Sequence, residues 1–157
     1  MLAGDIILFN YDKLMTGKWK ILNWFVKKFD GNINHVALYY SDDYVIEAWD
    51  GKGVRKRKIQ AYEDFEAMRL INVKFDVIIN LERYYSDTKG MKYSWRDWAN
   101  AAIYKVFKIK LFKNDNSGFI CSEYVSEFYK RCYQLDLCEE DFETPNDFLK
   151  SKYLEKI

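Results

Sequence analysis

A chain of 157 residues and 18.9 kDa is one domain long, and a composition 49% hydrophobic and 31% charged excludes a disordered or fibrous protein. Twenty-five Lys and Arg against 24 Asp and Glu leave a formal charge of +1, so no global excess draws the chain to nucleic acid. The bias is aromatic, with 13 Tyr, 11 Phe and 5 Trp, while one Pro and seven Gly provide no Pro- or Gly-rich linker, and residues 1–157 read as a single domain.

Gly4 and Asp5 open the apolar run Ile6, Ile7, Leu8, Phe9, which predicts a buried strand. The first residues have neither the charged nor the apolar region of a signal peptide, and no apolar run approaches the length of about 18 that spans a bilayer. Over residues 13–29, Leu14, Ile21, Leu22, Trp24, Phe25 and Phe29 recur at helical spacing with lysines between them, predicting an amphipathic helix interrupted at Gly17. Residues 35–40 and 44–49 predict a hairpin. If Ser41, Asp42 and Asp43 form a three-residue loop, Tyr40 opposes Tyr44 and Ala37 opposes Glu47. Gly51 and Gly53 turn the chain into residues 54–59, whose charged alternation suits an edge strand, and residues 68–73 predict another strand. Helices are expected over 76–85, 94–105 and 121–134, the last following a loop at 114–118. Thr144 before Pro145 is an N-cap ahead of a final short helix. An antiparallel sheet packed against helices, an α+β fold, is the expected architecture.

Chemistry concentrates at a few positions. Cys121 stands where a loop meets a helix, and the unpaired N–H groups there favour thiolate, the nucleophilic form. A buried structural cysteine is the alternative. Cys132 reads as packing, and Cys138 lies in an acidic loop. An odd number of cysteines without a secretory signal points to a reducing, cytoplasmic setting. His35 is the one histidine, which excludes multi-His metal sites and makes it the only imidazole available as general base. In the hairpin register above, Glu47 lies diagonal to His35 on the same face, able to fix its tautomer; a slip of one residue would hand that role to Asp50. A tetrahedral oxyanion would be met first by the backbone N–H of Cys121, with Tyr44, Tyr93, Asn114 and Asn116 open as second donors. No metal or cofactor is expected.

Gly4-Asp5-Ile6-Ile7, Asn34-His35-Val36-Ala37-Leu38-Tyr39, Val45-Ile46-Glu47-Ala48 and Cys121-Ser122-Glu123-Tyr124-Val125, in that order, resemble the circularly permuted NlpC-type papain-like proteins. The nearest branch is the YiiX-like group of cysteine peptidases and amidases, which includes poxvirus relatives. The closing run from Thr144 through Pro145, Asn146 and Asp147 to Ser151 is similar to that group's C-terminal segment. The resemblance implies a permuted papain-like α+β fold with histidine first and cysteine last. It makes Cys121 the nucleophile, His35 the base and Glu47 the third member of a catalytic triad.

The leading expectation is therefore a thiol hydrolase cutting an amide or isopeptide bond in a peptide, a peptide conjugate or peptidoglycan-like material. Residues 105–113 mix four lysines with bulky apolar side chains, and residues 19–29 have a similar character; an ordinary strand or helix with solvated lysines around a core face is the favoured reading, although such segments can rest on an anionic membrane surface. The permuted relatives include lecithin retinol acyltransferase-like enzymes, so a lipid acyl hydrolase or acyltransferase is the second expectation. A catalytically silent binding module is the third. Arg55, Lys56, Arg57 and Lys58 supply the one basic run, and alternation sends them to both faces of a strand, which argues against nucleic acid as a partner.

Overall fold

Ile6, Ile7, Leu8 and Phe9 are all fully buried, as a continuous apolar run must be when its strand lies inside a sheet covered on both faces. The computed structural model describes residues 1–10, 27–28, 30–61, 65–71, 77–110, 118–138 and 142–157. Among them the strands are β1 (Ile6–Phe9), β2 (His35–Ser41), β3 (Tyr44–Trp49), β4 (Gly53–Lys58), β5 (Phe65–Leu70), β6 (Lys92–Tyr93), β7 (Gly118–Phe119) and β8 (Leu154–Lys156). The helices are α1 (Val77–Thr88), α2 (Trp95–Phe107) and α3 (Cys121–Tyr133), with a 3₁₀ helix at Pro145–Lys150. The helix expected over residues 13–29 lies outside the described residues, save Lys27 and Lys28, which are helical.

Six strands form an antiparallel sheet in the order β4-β3-β2-β1-β5-β8. The strand expected at 68–73 begins earlier, at Phe65, and ends at Leu70; its pairing with β1 and β8 is of a long range that no local pattern announces. Alternation along each strand sorts the side chains. Ile6, Leu8, Val36, Leu38, Ile46 and Ala48 face α3, meeting Tyr124, Val125, Phe128 and Tyr129, with Leu81 and Tyr84 added from α1. Ile7, Phe9, Ala37, Val45, Ile59 and Ala67 make a second cluster with Tyr39 and Trp49. Each Val, Leu, Ile or Phe among them contributes roughly 1.5–3 kcal/mol by leaving water.

The hairpin turn differs from the three-residue expectation. Asp42 and Asp43 both adopt left-handed backbone, with φ of 48° and 64°, the geometry of a two-residue turn that matches strand twist. Ser41, not Tyr40, pairs with Tyr44, and the ladder shifts at Tyr40 before resuming at Tyr39–Val45 and Leu38–Ile46. The bulge absorbs the residue removed from the turn, so Ala37 still aligns with Glu47.

The helices keep their expected places with shifted ends. Residues 76–85 become Val77–Thr88. For α2, Ser94 is the N-cap, accepting from the Asp97 N–H at 3.3 Å, and Lys108 is the left-handed C-cap with φ 56°. For α3, Gln134 closes the helix in the same conformation. The final helix after Thr144 is 3₁₀. Cys138 lies in a loop among the acidic groups of Asp136, Glu143 and Asp147, with its side chain buried in the main core, and Cys132 packs at the core's margin as expected. All three cysteines are thiols.

β6 and β7 form a short parallel pair just ahead of α2 and α3. At Gly118 a Cβ would stand 2.2 Å from the Lys92 carbonyl oxygen, so only glycine lets these backbones close. Phe119 then pairs with Tyr93, and α3 starts two residues on.

Candidate active site

His35 is the first residue of β2 and is 5% exposed. Its ring stacks on Phe9 at 5.6 Å with 24° between planes, and meets the Trp49 edge at 5.1 Å and 81°. The two aromatic neighbours follow from register, since Phe9 pairs with His35 and Trp49 lies on the same face of β3. Held in that sandwich, the Nε2 of His35 lies 2.8 Å from Glu47 Oε2. Glu47 is fully buried, and its other oxygen, Oε1, accepts from Arg55 Nε at 2.9 Å with Arg55 Nη2 2.8 Å away. Arg55 is directly opposite Glu47 in the β3–β4 ladder and stacks its guanidinium 4.5 Å from the Trp49 ring centre. A buried carboxylate is thus paired on both oxygens, which is the condition for its staying charged.

Nε2 is engaged by Glu47, and Cys121 acts on the same imidazole, its hydrogen bonding and charge both favouring the protonated ring. Cys121 is the first residue of α3, where the opening N–H groups have no partner inside the helix. Burial alone would pull the His35 pKa down; the hydrogen bonds with Cys121 and Glu47, and the charges on both, outweigh it and raise the pKa to about 9. At neutral pH the ring is an imidazolium between two anion-forming groups.

Of the residues expected from sequence, the fold brings Cys121, His35 and Glu47 together. Asp50 does not substitute for Glu47: it is hydrogen-bonded to the Trp95 side chain, and burial raises its pKa. Among the open second donors, Tyr93 lies within electrostatic reach of Cys121. Burial first, then the charges of Cys121, Asp50 and Glu123, hold its hydroxyl well above the usual phenol range, so it remains an O–H donor. Tyr44 opens β3 with Lys58 5.8 Å from its ring, and Asn114 and Asn116 lie outside the described residues. Arg55 was missed as a site residue. Its signal lay in the Gly51–Gly53 turn, which sets β4 opposite β3 and the arginine opposite Glu47.

Beside the sulfur lies a small cavity of about 40 Å³, walled by Ile33, Trp98, Ala101, Ala102 and Ile120, with Thr144 at its edge. Lys105, read from sequence as one of a set of solvated lysines, turns inward instead. Its Nζ is 2.7 Å from Asp147 Oδ2, and its side chain is 6% exposed. Phe107 and Ile109 of the same segment are exposed at 65% and 54%. Among the described residues no helix is long and apolar enough to cross a membrane.

No protein-family model matches the chain, and no curated protein matches it. Among solved structures, the metalloprotein YiiX of Escherichia coli O157:H7 is similar, with a TM-score of 0.71 at 12% identity, over 99% of this chain and 95% of that one. The architecture is therefore shared with a YiiX-like protein along nearly the whole length, as the sequence resemblance implied, while the low identity makes the likeness one of fold.

Proposed function

We propose that the chain is a thiol hydrolase on a permuted papain-like fold, cleaving an amide or isopeptide bond through Cys121, His35 and Glu47. The observation that supports this reading is one buried imidazole that meets the Glu47 carboxylate at 2.8 Å and whose protonation is favoured by Cys121, the first residue of a helix. In the proposed cycle the Cys121 thiolate attacks the carbonyl carbon and the C=O electrons move to oxygen, where the α3 N–H groups and the Tyr93 hydroxyl can donate. The tetrahedral intermediate collapses, the C–N bond breaks, and His35 gives its proton to the departing amine. Water, deprotonated by the now neutral His35, attacks the thioester and releases the acid and the thiolate. Glu47 holds the ring's orientation and offsets its charge, and Arg55 bonds the other carboxylate oxygen. Peptide conjugates and peptidoglycan-like material are the substrate classes the reading proposes.

The similar solved structure is titled a metalloprotein. Among the described residues here, no group of three or more His, Cys, Asp and Glu side chains is assembled to hold a metal, so no step is assigned to one.

An electrophilic amide or thioester probe tests the reading: it should label wild type and leave Cys121→Ala unlabelled. Equal labelling at that position's peptide in both would end it, leaving a binding module on the same architecture. A lipid acyl substrate is favoured by one observation, the exposed Phe107 and Ile109 alternating with Lys108 and Lys110. Co-sedimentation with anionic but not neutral vesicles, together with ester rather than amide turnover, would shift the proposal to that substrate.

A further inference from the structure

We propose that Asn146 is a positioning residue for His35: its side-chain amide clamps the backbone of Ile33 and so sets where the imidazole sits between Glu47 and Cys121. This rests on the catalytic reading of His35 and goes beyond it, naming what holds the base in place.

Asn146 lies in the 3₁₀ helix near the end of the chain and is 4% exposed. Its Oδ1 accepts from the Ile33 N–H at 3.1 Å, and its Nδ2 donates to the Ile33 carbonyl at 2.7 Å. One amide thus satisfies both backbone groups of Ile33, as a neighbouring strand would. The ladder of β2 begins only at His35, paired with Phe9; just before it, Asn34 N–H donates to the Phe9 carbonyl at 3.1 Å. Ile33 is 7% exposed, so without the amide its N–H and C=O would be buried with no strand to take them. The same Nδ2 also donates to Asp30 Oδ2 at 3.1 Å, tying a second point of the lead-in.

The chain also keeps space for this side chain. At Gly31, where φ is +136°, a Cβ would stand 2.3 Å from Asn146 Oδ1. Any other residue there would expel the amide from its seat. Asn146 is in turn seated by its neighbours: Asp147 Oδ2 accepts from the Thr144 N–H at 2.9 Å, and Lys105 of α2 reaches Asp147 at 2.7 Å. That ion pair braces the same segment from α2, and Lys105 also reaches the lead-in, 3.9 Å from Asp30 Oδ1, while the two backbone groups of Ile33 are taken by Asn146. The groups facing His35 are Glu47 from β3 and Cys121 from α3, with Arg55 of β4 acting through Glu47. A shift of the lead-in by a fraction of an ångström loosens both hydrogen bonds of the ring, and misplacement on that scale is enough to slow a reaction strongly.

Because the chain has one histidine, its imidazole resonances in an NMR titration report His35 alone. The titration is to be read in wild type, Asn146→Ala, Asn146→Asp, Asn146→Ser, Lys105→Gln and Cys121→Ala, with probe turnover alongside. Wild type should titrate near 9. In Asn146→Ala the value should fall by about one unit or more, with kcat reduced roughly tenfold or more and KM little changed. Asn146→Asp, which turns an oxygen toward the Ile33 carbonyl and Asp30 where a donor stood, should lose kcat at least as far as alanine does, and Asn146→Ser, which can replace one of the two bonds, decides if the alanine variant does not fold. Lys105→Gln should lower the melting temperature and move the His35 titration clearly less than Asn146→Ala does. The proposal is overturned if the Asn146 variants titrate with wild type, or if Lys105→Gln moves His35 as far as Asn146→Ala does. A wild-type value near that of free histidine, unmoved in Cys121→Ala, would instead remove the catalytic reading itself.

Discussion

Glu47 stands diagonal to His35 across β2 and β3, one carboxylate oxygen 2.8 Å from the ring and the other 2.9 Å from Arg55 Nε. Both oxygens are acceptors with a donor each, and the pair of donors determines what a neutral amide would do in their place. In Glu47→Gln the amide oxygen can serve Arg55 or His35 but not both, and the remaining NH₂ meets another N–H. The His35 pKa should fall, since one of the contacts raising it is lost. Turnover should drop by roughly 10²- to 10⁴-fold, the range of a positioned acid–base group. The imidazole titration and the probe rate measured on the same sample check both halves.

Stability should decline from mildly acidic to alkaline pH. His35 is raised from 6.5 to about 9, so its contribution is complete below pH 6.5 and disappears as pH rises through 9. Burial raises Glu123 from 4.5 to about 7 and Glu143 from 4.5 to about 8. Folded, these acids hold protons that the unfolded chain releases near 4.5, so they too lose stability for the fold as pH climbs through 7 and 8. Asp147 has the opposite sense. Burial opposes its ionisation, but the Lys105 and Thr144 hydrogen bonds lower its pKa overall, and its contribution is lost only in stronger acid. The melting temperature should therefore peak near pH 5 by calorimetry. Glu143→Gln should raise it at pH 9 by a few degrees and leave it unchanged at pH 5.

Much of the site was legible because it is written in local spacing. The alternation through Val36, Leu38, Ile46 and Ala48 fixed which face of the hairpin is core, and with it the side on which His35 and Glu47 meet. That result survived a wrong turn, because the bulge at Tyr40 compensates for the shorter Asp42–Asp43 connection. Cys121 at a helix start was equally local, marked by the Asn-Asp-Asn-Ser-Gly run before it. Nothing local linked Asn146 to Ile33, or β5 to β1 and β8. These contacts close long loops, and their residues carry no pattern that names a partner. Lys105 misled for the same reason: its partner Asp147 is distant in sequence, and without it the lysine reads as one of a solvated set.

The hydroxyl of Tyr93 should act on the oxyanion and not on binding. It lies in electrostatic contact with Cys121 and stays protonated throughout the working range. Tyr93→Phe removes one donor while keeping the ring against Trp95, 5.4 Å between centroids. The expected result is a kcat lower by roughly 10²-fold, with KM within about twofold, the signature of an interaction made only in the transition state. A rise in KM at constant kcat would assign Tyr93 to substrate binding.

Gly118→Ala should damage both fold and site. The new methyl would stand 2.2 Å from the Lys92 carbonyl oxygen and 3.4 Å from the Ser94 nitrogen, both backbone atoms that cannot rotate away. β6 and β7 must separate, which costs about 1–3 kcal/mol as overpacking does and weakens the bond from Ser94 N–H to the Phe119 carbonyl, now 3.0 Å. Since Tyr93 and the start of α3 hang on this pair of strands, the variant should also alkylate differently at Cys121. A background with Cys132→Ser and Cys138→Ser removes the other two thiols, so iodoacetamide uptake reads Cys121. Urea unfolding should show the loss of stability, and the alkylation rate at native urea concentrations should change with it. Equal rates with and without Gly118→Ala would mean that the β6–β7 closure stabilises the fold without shaping the nucleophile's surroundings.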